Sequence, residues 1–328
     1  MRLIPFREAL REAMSEEMRR DDRVFLMGEE VAEYNGAYKV SQGMLAEFGP
    51  RRILDTPISE LGFTAIGVGA AQKGLRPIVE FMTWNFAVLA LDQILNTASK
   101  MLAMSGGQIS CPIVFRGGNA SAGQLGAQHS TAFEGLYANI PGIKVVSPSN
   151  GYDAKGLLKQ AIRYEEDPVM FMESELMYGE KSEIPDEEYY IELGKADIKR
   201  QGRDVTIVAF NKMMKVALGA AAELEKEGVS AEVIDLRTIR PLDWMTILES
   251  VKKTNRLVII DEEWPFASVS SEIAYRIQKE GFDYLDAPIR RITAADAPLH
   301  YAPNLVAAAL PDVPRTVKLV KEVMYMKK

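Results

Sequence analysis

Glu60 lies in the run RILDTPISELGFTAIGVGAAQKG, residues 52–74, at the mouth of an apolar, glycine-rich segment. A carboxylate just beyond a short apolar strand can share a proton with a bound group, because open α/β sheets take ligands beyond the carboxyl ends of their strands. The same residue in the first turn of a helix also complements the helix dipole, and spacing alone does not separate the two roles. His129 is the second candidate. It stands in GGNASAGQLGAQHS, residues 117–130, a run too rich in glycine and small side chains for a core element, and so read as a loop lining a site. An imidazole there suits a proton donor or acceptor near neutral pH; the alternative is a structural histidine bonded to a carbonyl. Trp84 and Phe86, near the start of a helix, offer large aromatic surfaces, either as core or as a platform for a flat heterocycle.

Other chemistries lack their signatures. The chain has no GxxxxGK followed by Ser or Thr, no GxGxxG opening a helix, no GxSxG elbow, and no CxxC or HExxH pattern. His129 and His300 are the only histidines, so a histidine-based metal site is not expected. His300, in DAPLHYAP, reads as a surface or interdomain residue. Cys111 is the single cysteine, which excludes an intrachain disulfide; it reads as a buried small residue and fits a reducing setting. A net charge of -7 and a pI near 5.2 argue against a nucleic-acid partner. No apolar run reaches the roughly 18 residues of a membrane span. Met1 leads at once into REALREAMSEEMRRD without the pattern of a signal or transit peptide, so a cytoplasmic location is expected, or a mitochondrial matrix location after removal of a transit peptide.

The elements that must position these residues follow from the pattern. Ile53-Leu54 is a short strand ending at Asp55, and Pro57 disfavours helix at Thr56. Ser59 is an N-cap candidate that leaves Glu60 in the first turn. Gly62, Gly67, Gly69 and Gly74 cost helix stability unless a backbone or ligand approaches closely. Apolar positions Phe6, Leu10, Met14 and Met18 have helical spacing. Strands are expected at 24–27, 77–81, 113–115, 144–148 and 169–172, with a long helix from about 82 to 105 whose buried candidates include Leu89 and Ile94, and another over 151–164. Residues 179–203 are charged and short of aliphatics. They divide the chain into a domain of residues 1–180, a linker of 181–203 and a domain of 204–328. Beyond the linker, strands at 205–209, 231–236, 257–260 and 289–292 alternate with helices, and 237–241 reads as a loop. Repeated strand–helix units imply an α/β protein of two doubly wound domains with parallel sheets.

The chain resembles the beta subunits of the thiamine-diphosphate-dependent component of 2-oxo acid dehydrogenase complexes. The resemblance is carried by GEEVAEYNGAYKVSQG, DTPISELGF, GLRPIVEFMTWNF, DQILNTASKMLAMSGG, PIVFRGGNASAG, AQHS, NIPGIKVVSPSN, DAKGLL, ESELMYG and LRTIRPLD, from residue 28 to 243. The later part similarly resembles the C-terminal domain shared with transketolases, and the earlier part a pyrimidine-binding, thiamine-diphosphate-type domain. MTWNF, AQHS and ELMYG look more like the pyruvate type than the branched-chain type. Gly118, Ala120, Trp84 and His300 depart from the family pattern.

By this resemblance Glu60 hydrogen-bonds the ring nitrogen of the cofactor's aminopyrimidine and shares a proton with it. Phe86 packs against that ring, with Met82 beside it. His129 positions or protonates a substrate-derived oxygen, or assists acyl transfer to lipoamide. A potassium ion on the backbone carbonyls of Ile113, Ala161 and Ile162 is also implied. The implied activity is oxidative decarboxylation of pyruvate with acetyl transfer to lipoyl groups; acetoin and branched-chain variants, or a non-catalytic scaffold chain, are the alternatives. The family motif for magnesium and diphosphate, GDG followed by a downstream asparagine, is missing. The resemblance therefore implies an alpha subunit that holds Mg2+, a heterotetramer of two alpha and two beta subunits, and a lipoyl acyltransferase core as partner. A self-sufficient transketolase-like enzyme is disfavoured by the same omission.

Overall fold

The computed structural model describes residues 1–326. The chain opens with β1 (Arg2–Pro5), α1 (Phe6–Arg20), β2 (Val24–Gly28), α2 (Met44–Phe48), β3 (Ile53–Asp55), α3 (Glu60–Gln72), β4 (Arg76–Thr83), α4 (Trp84–Ala87) and α5 (Met101–Met104). It continues with β5 (Val114–Gly118), α6 (Glu134–Ala138), β6 (Lys144–Val146), α7 (Gly151–Arg163), β7 (Val169–Glu173) and β8 (Lys181–Ile184). The second half holds β9 (Asp197–Arg200), β10 (Val205–Ala209), α8 (Met213–Lys226), β11 (Ala231–Asp235), β12 (Thr238–Arg240), α9 (Trp244–Thr254) and β13 (Leu257–Ile260). It ends with α10 (Val269–Glu280), β14 (Arg290–Ile292), α11 (Pro303–Ala309) and α12 (Val313–Val323).

A seven-stranded sheet runs in the order β12-β6-β7-β5-β4-β2-β3, and a five-stranded sheet in the order β14-β13-β10-β11-β9. Both are parallel except at one edge, where β12 and β9 run antiparallel to their neighbours. Strands such as β5 and β10 are buried along their whole length, because helices cover both faces of each sheet. The stripe Phe6, Leu10, Met14 and Met18 on α1 is fully buried, as its spacing predicts. Among the described residues no helix is long and apolar enough to cross a membrane.

Several elements differ from the sequence expectation, and each difference comes from distant pairing. Residues 237–241 are not a plain loop: β12 leaves the C-terminal half and pairs with β6 of the first sheet. The 181–203 segment contributes a strand to each side. Its β8 pairs with β1 and its β9 with β11. The expected long helix is broken into α4, a 3-10 turn at Val88–Ala90, a π-helical turn at Gln93–Ala98 and α5. Ser99 bends this stretch by donating from its hydroxyl to the Leu95 carbonyl at 2.8 Å. Along this broken stretch Leu89 is exposed rather than buried, while Ile94 is in the core.

The packing of α3 on β4 shows why Gly67 is required. A Cβ there would lie 2.8 Å from the Val79 side chain. Gly69 is different, since no atom of this chain lies within 4 Å of its would-be Cβ.

Candidate functional site

The candidate residues gather at the carboxyl ends of adjacent parallel strands. Gly28 at the end of β2 pairs with Asp55 of β3 and Glu80 of β4, and Gly118 at the end of β5 pairs with Glu173 of β7. Glu29, Glu60, the Trp84–Phe86 segment, His129 and Glu175 all follow these strands, and Met82 lies in β4 just before its end.

Glu60 is the first residue of α3 and only 6% exposed. Ser59 takes the N-cap position, but its hydroxyl makes no cap bond. The partner of Glu60 is a residue that sequence reasoning passed over. Glu29, immediately beyond β2, is also 6% exposed, and its Oε1 is buried without a hydrogen-bond partner. Asp55 brings it there. The Asp55 carboxylate accepts the N–H groups of Ala32 at 2.7 Å and Glu33 at 3.0 Å, which pins the loop that follows Glu29. Burial first, and the charge of Glu60 second, push the Glu29 carboxyl up to about 7. The available signal was positional: a carboxylate directly after a buried parallel strand, on the strand next to the one that precedes Glu60.

A raised acid destabilises the folded state once it must ionise. Glu29 titrates near 4.5 when unperturbed and near 7 here, so the stability it supports is complete below the lower value and lost as pH rises through the upper one. Glu29→Gln removes that loss. Relative to the parent chain, the variant gains roughly 2 kcal/mol between pH 5 and pH 8, measurable by urea denaturation at the two pH values. An equal stability difference at both would show that Glu29 is not raised.

Trp84 and Phe86, two residues apart in α4, have opposite fates. Trp84 is fully buried against Phe81 and Tyr137, with ring centroids at 5.6 and 5.0 Å. Phe86 is 37% exposed and meets His129 edge-on, centroid to centroid 5.0 Å, with the planes at 90°. The Thr83 hydroxyl caps α4 by accepting from the Asn85 N–H, and Asn85 Oδ1 in turn accepts the Thr131 N–H at 3.2 Å. That bond draws the histidine loop onto α4. His129 itself is half-buried in a short 3-10 turn, and Met82 is half-buried near the end of β4. His300 is exposed, although the neighbouring Tyr301 ring packs near Gly126 of the histidine loop.

Glu175 completes this side. Burial raises its carboxyl, opposed by a hydrogen bond from Tyr38 and by the charges of Lys212 and His129. The departure at Gly118 has a local reason, since a Cβ there would lie 2.6 Å from Glu175 Oε1. Gly117 is likewise constrained. Its φ is +153°, and a Cβ would lie 2.1 Å from the Phe81 carbonyl. Ala120 sits in the left-handed region at φ +65°, an uncommon conformation for a residue with a Cβ.

Beneath the strand ends lies a buried ionic network. Arg116 donates to both carboxylate oxygens of Glu173, at 2.7 and 2.5 Å, and also to Glu80. The Tyr178 hydroxyl donates to Glu173 at 2.8 Å. Glu80 is raised by burial and restrained by Arg116.

The three carbonyls expected to hold potassium do not join the site. Ile113 precedes β5, at the opposite end of that strand from Gly118, and its carbonyl accepts the Val169 N–H at 2.9 Å. The Ala161 carbonyl accepts the Tyr164 N–H at 3.3 Å, and the Arg76 guanidinium donates to the Ile162 carbonyl at 2.9 Å.

Two adjacent buried carboxyls, one with a free oxygen, can hold and share a proton with a ring nitrogen. The open face of Phe86 beside an imidazole suits a flat heterocycle with a substrate above it. Among the described residues, no group of three His, Cys, Asp or Glu side chains is arranged to hold a metal ion.

Comparison with known proteins accords with this geometry. Residues 3–181 match the family model of the transketolase pyrimidine binding domain, and residues 194–315 that of the transketolase C-terminal domain. The chain is 56% identical to the pyruvate dehydrogenase E1 component subunit beta of Rhizobium meliloti (strain 1021), covering 99% of this chain and 71% of that protein. It is 55% identical to the subunit of the same name from Rickettsia felis (strain ATCC VR-1525 / URRWXCal2), covering 98% of each. It is 52% identical to the mitochondrial pyruvate dehydrogenase E1 component subunit beta-1 of Arabidopsis thaliana, over 98% of this chain and 90% of that one. Among solved structures, a split gene transketolase in an inactive beta4 tetramer superposes with a TM-score of 0.81 at 22% identity, covering 99% of this chain and 100% of that one, which shows a shared fold.

Proposed function

The chain belongs to the family of pyruvate dehydrogenase E1 component beta subunits, and from that premise we propose that it completes a thiamine-diphosphate site for the oxidative decarboxylation of pyruvate with acetyl transfer to a lipoyl group. The observation that carries this reading is the Glu29–Glu60 pair, two adjacent buried carboxyls at the strand ends, on the sheet whose strand β4 leads into the segment bearing Phe86. When bound, thiamine diphosphate supplies the carbon nucleophile and electron sink that a 2-oxo acid needs to lose carbon dioxide. Glu60 holds a proton at the cofactor's pyrimidine nitrogen, and Glu29 keeps that proton available near neutral pH. Phe86 and Met82 orient the ring and exclude water from it. His129, pressed against Phe86, serves the oxygen atoms of the substrate or of the acyl group.

A second chain is part of this reading. Glu60 adjoins an uncovered apolar surface formed by Ile58, which is 82% exposed, with Leu61 and Ile66 on α3 and Val88 and Leu89 beyond α4. A patch of this kind marks an interaction site, and Gly69 leaves room on the same helix for close approach. The partner is an alpha subunit carrying Mg2+ and the diphosphate, in a heterotetramer of two alpha and two beta subunits that serves an acyltransferase core.

Isothermal titration of thiamine diphosphate with Mg2+, into this chain alone and into its complex with the alpha subunit, tests the proposal. Binding is expected only in the complex, followed by pyruvate turnover. Tight binding to the chain alone would overturn the split site, and no binding in either case would leave a scaffold chain instead.

A further inference from the structure

His129 reaches its place by a long excursion from the first sheet, and the C-terminal half holds that excursion at both ends. At its start, Glu262 Oε1 accepts the Ser121 N–H at 2.9 Å. Lys212 donates to the Ser121 hydroxyl at 2.7 Å and to the Ser121 carbonyl, and pairs with Glu262 at 2.9 Å. At its end, Glu263 accepts the Gly135 N–H at 2.5 Å through Oε1 and the Val269 N–H at 2.7 Å through Oε2. A Cβ at Gly135 would lie 2.7 Å from Glu263 Oε1, so the contact leaves no slack. Asp261 shapes the grip by accepting the N–H groups of Glu263 at 2.9 Å and Ser270 at 3.0 Å. Between these anchors, Gly123, Gln124 and Leu125 are exposed.

We infer that Lys212, Glu262 and Glu263 are positioning residues for His129: the turn after β13 clamps residues 121 and 135 and thereby sets the imidazole over Phe86. All three side chains are buried, and each puts a charged group on a backbone atom of residue 121 or 135, the class of hydrogen bond that is strongest and most directional. Burial also raises Glu263, which lies beside Asp261 and Glu134 at the same junction. The arrangement places costly buried charges on the backbone at both ends of the loop. Lys212 has a second reach, since its charge acts on Glu175 alongside that of His129. The role assigned to His129 rests on the function proposed above, whereas the clamp on the loop does not.

The test uses the assembled alpha–beta complex carrying Glu262→Ala or Lys212→Met. Amide hydrogen exchange by mass spectrometry follows residues 121–131, and steady-state kinetics give kcat and KM for pyruvate. Exchange over 121–131 is expected to accelerate at least tenfold while β2 and β4 keep their protection. Turnover falls on the order of 10- to 100-fold, because small misplacement of a reacting group has effects of that size. Thiamine diphosphate affinity stays within about twofold, since the Glu60 side of the site is untouched, and Lys212→Arg restores both loop protection and kcat. Unchanged exchange would overturn the clamp, and faster exchange with unchanged kcat would overturn the positioning role. Should Glu262→Ala fail to fold, Glu262→Gln keeps an acceptor oxygen but removes the charge that holds Lys212, and carries the same two readouts. Absence of pyruvate turnover in the unaltered complex would strike the proposed function, while the exchange measurement still decides whether the clamp exists.

Discussion

Glu60→Gln lowers pyruvate turnover of the assembled complex by about 10²–10⁴-fold, the usual worth of a positioned proton-transfer group, while the complex still forms. The substitution preserves size and leaves an amide able to hydrogen-bond, but an amide cannot share its proton. Water cannot substitute, because Glu60 is buried at the start of α3. Glu29 cannot take over either, because its place is fixed by the loop that Asp55 pins, and its own proton is held in part by the charge of Glu60. A linked effect gives a second readout. With the Glu60 charge gone, the Glu29 carboxyl titrates below about 7 but stays above its ordinary range, since burial is the larger cause. Turnover measured beside sedimentation velocity checks the first claim, and difference infrared titration of the carboxyls checks the second. Full activity in the variant would remove Glu60 from the mechanism and the proposed function with it.

Arg116→Met destabilises the chain by about 3–5 kcal/mol, the cost of leaving buried charge uncompensated. Arg116 is fully buried and is the cation shared by Glu80 and Glu173, which lie on the strands at either side of β5. Methionine fills much of the volume but satisfies neither carboxylate. Tyr178 remains as the one further donor to Glu173, and it cannot serve Glu80 at the same time. Adding Glu80→Gln to Arg116→Met recovers part of the loss, because it removes one of the two stranded charges. Urea denaturation of the single and double variants measures both effects. A loss under about 1 kcal/mol for the single change, or no recovery in the double, would show that the network is not the unit of stability described here. Because the network underlies the strand ends, weakened thiamine diphosphate binding should accompany the loss.

Individual residues show where local reading of the chain succeeds and where it stops. The α1 stripe was legible because Phe6, Leu10, Met14 and Met18 repeat at helical period and meet a single apolar face. Central strands were legible because both faces of a parallel sheet are covered, which makes the run of residues continuously apolar. Strand β12 was not, since three residues carry no period and Thr238–Arg240 become a strand only by finding β6 across the chain. The break in the helix after Trp84 escaped for a similar reason. At its far end a Ser99 hydroxyl turns back on the Leu95 carbonyl, and propensity sums do not register such a bond.

The candidate site divides in the same way. Glu60 and His129 are visible in the chain because each stands out chemically from small or apolar neighbours beyond a strand. Phe86 is visible only as an aromatic, and Trp84 beside it looks equivalent. Packing against Phe81 and Tyr137 sends one ring inward and leaves the other facing His129. Glu29 acquires its raised proton affinity first from burial and second from the charge of Glu60, about thirty positions away, through the loop held by Asp55. Lys212, Glu262 and Glu263 carry no local sign of a role; they acquire one where they meet residues 121 and 135. Residue type and period carry the elements and the chemically distinctive side chains, because those depend on neighbours within a few positions. The carboxyl pair, the orientation of Phe86 and the seating of His129 depend on burial and charge supplied by residues tens to hundreds of positions away, and they come into being only when the sheets close.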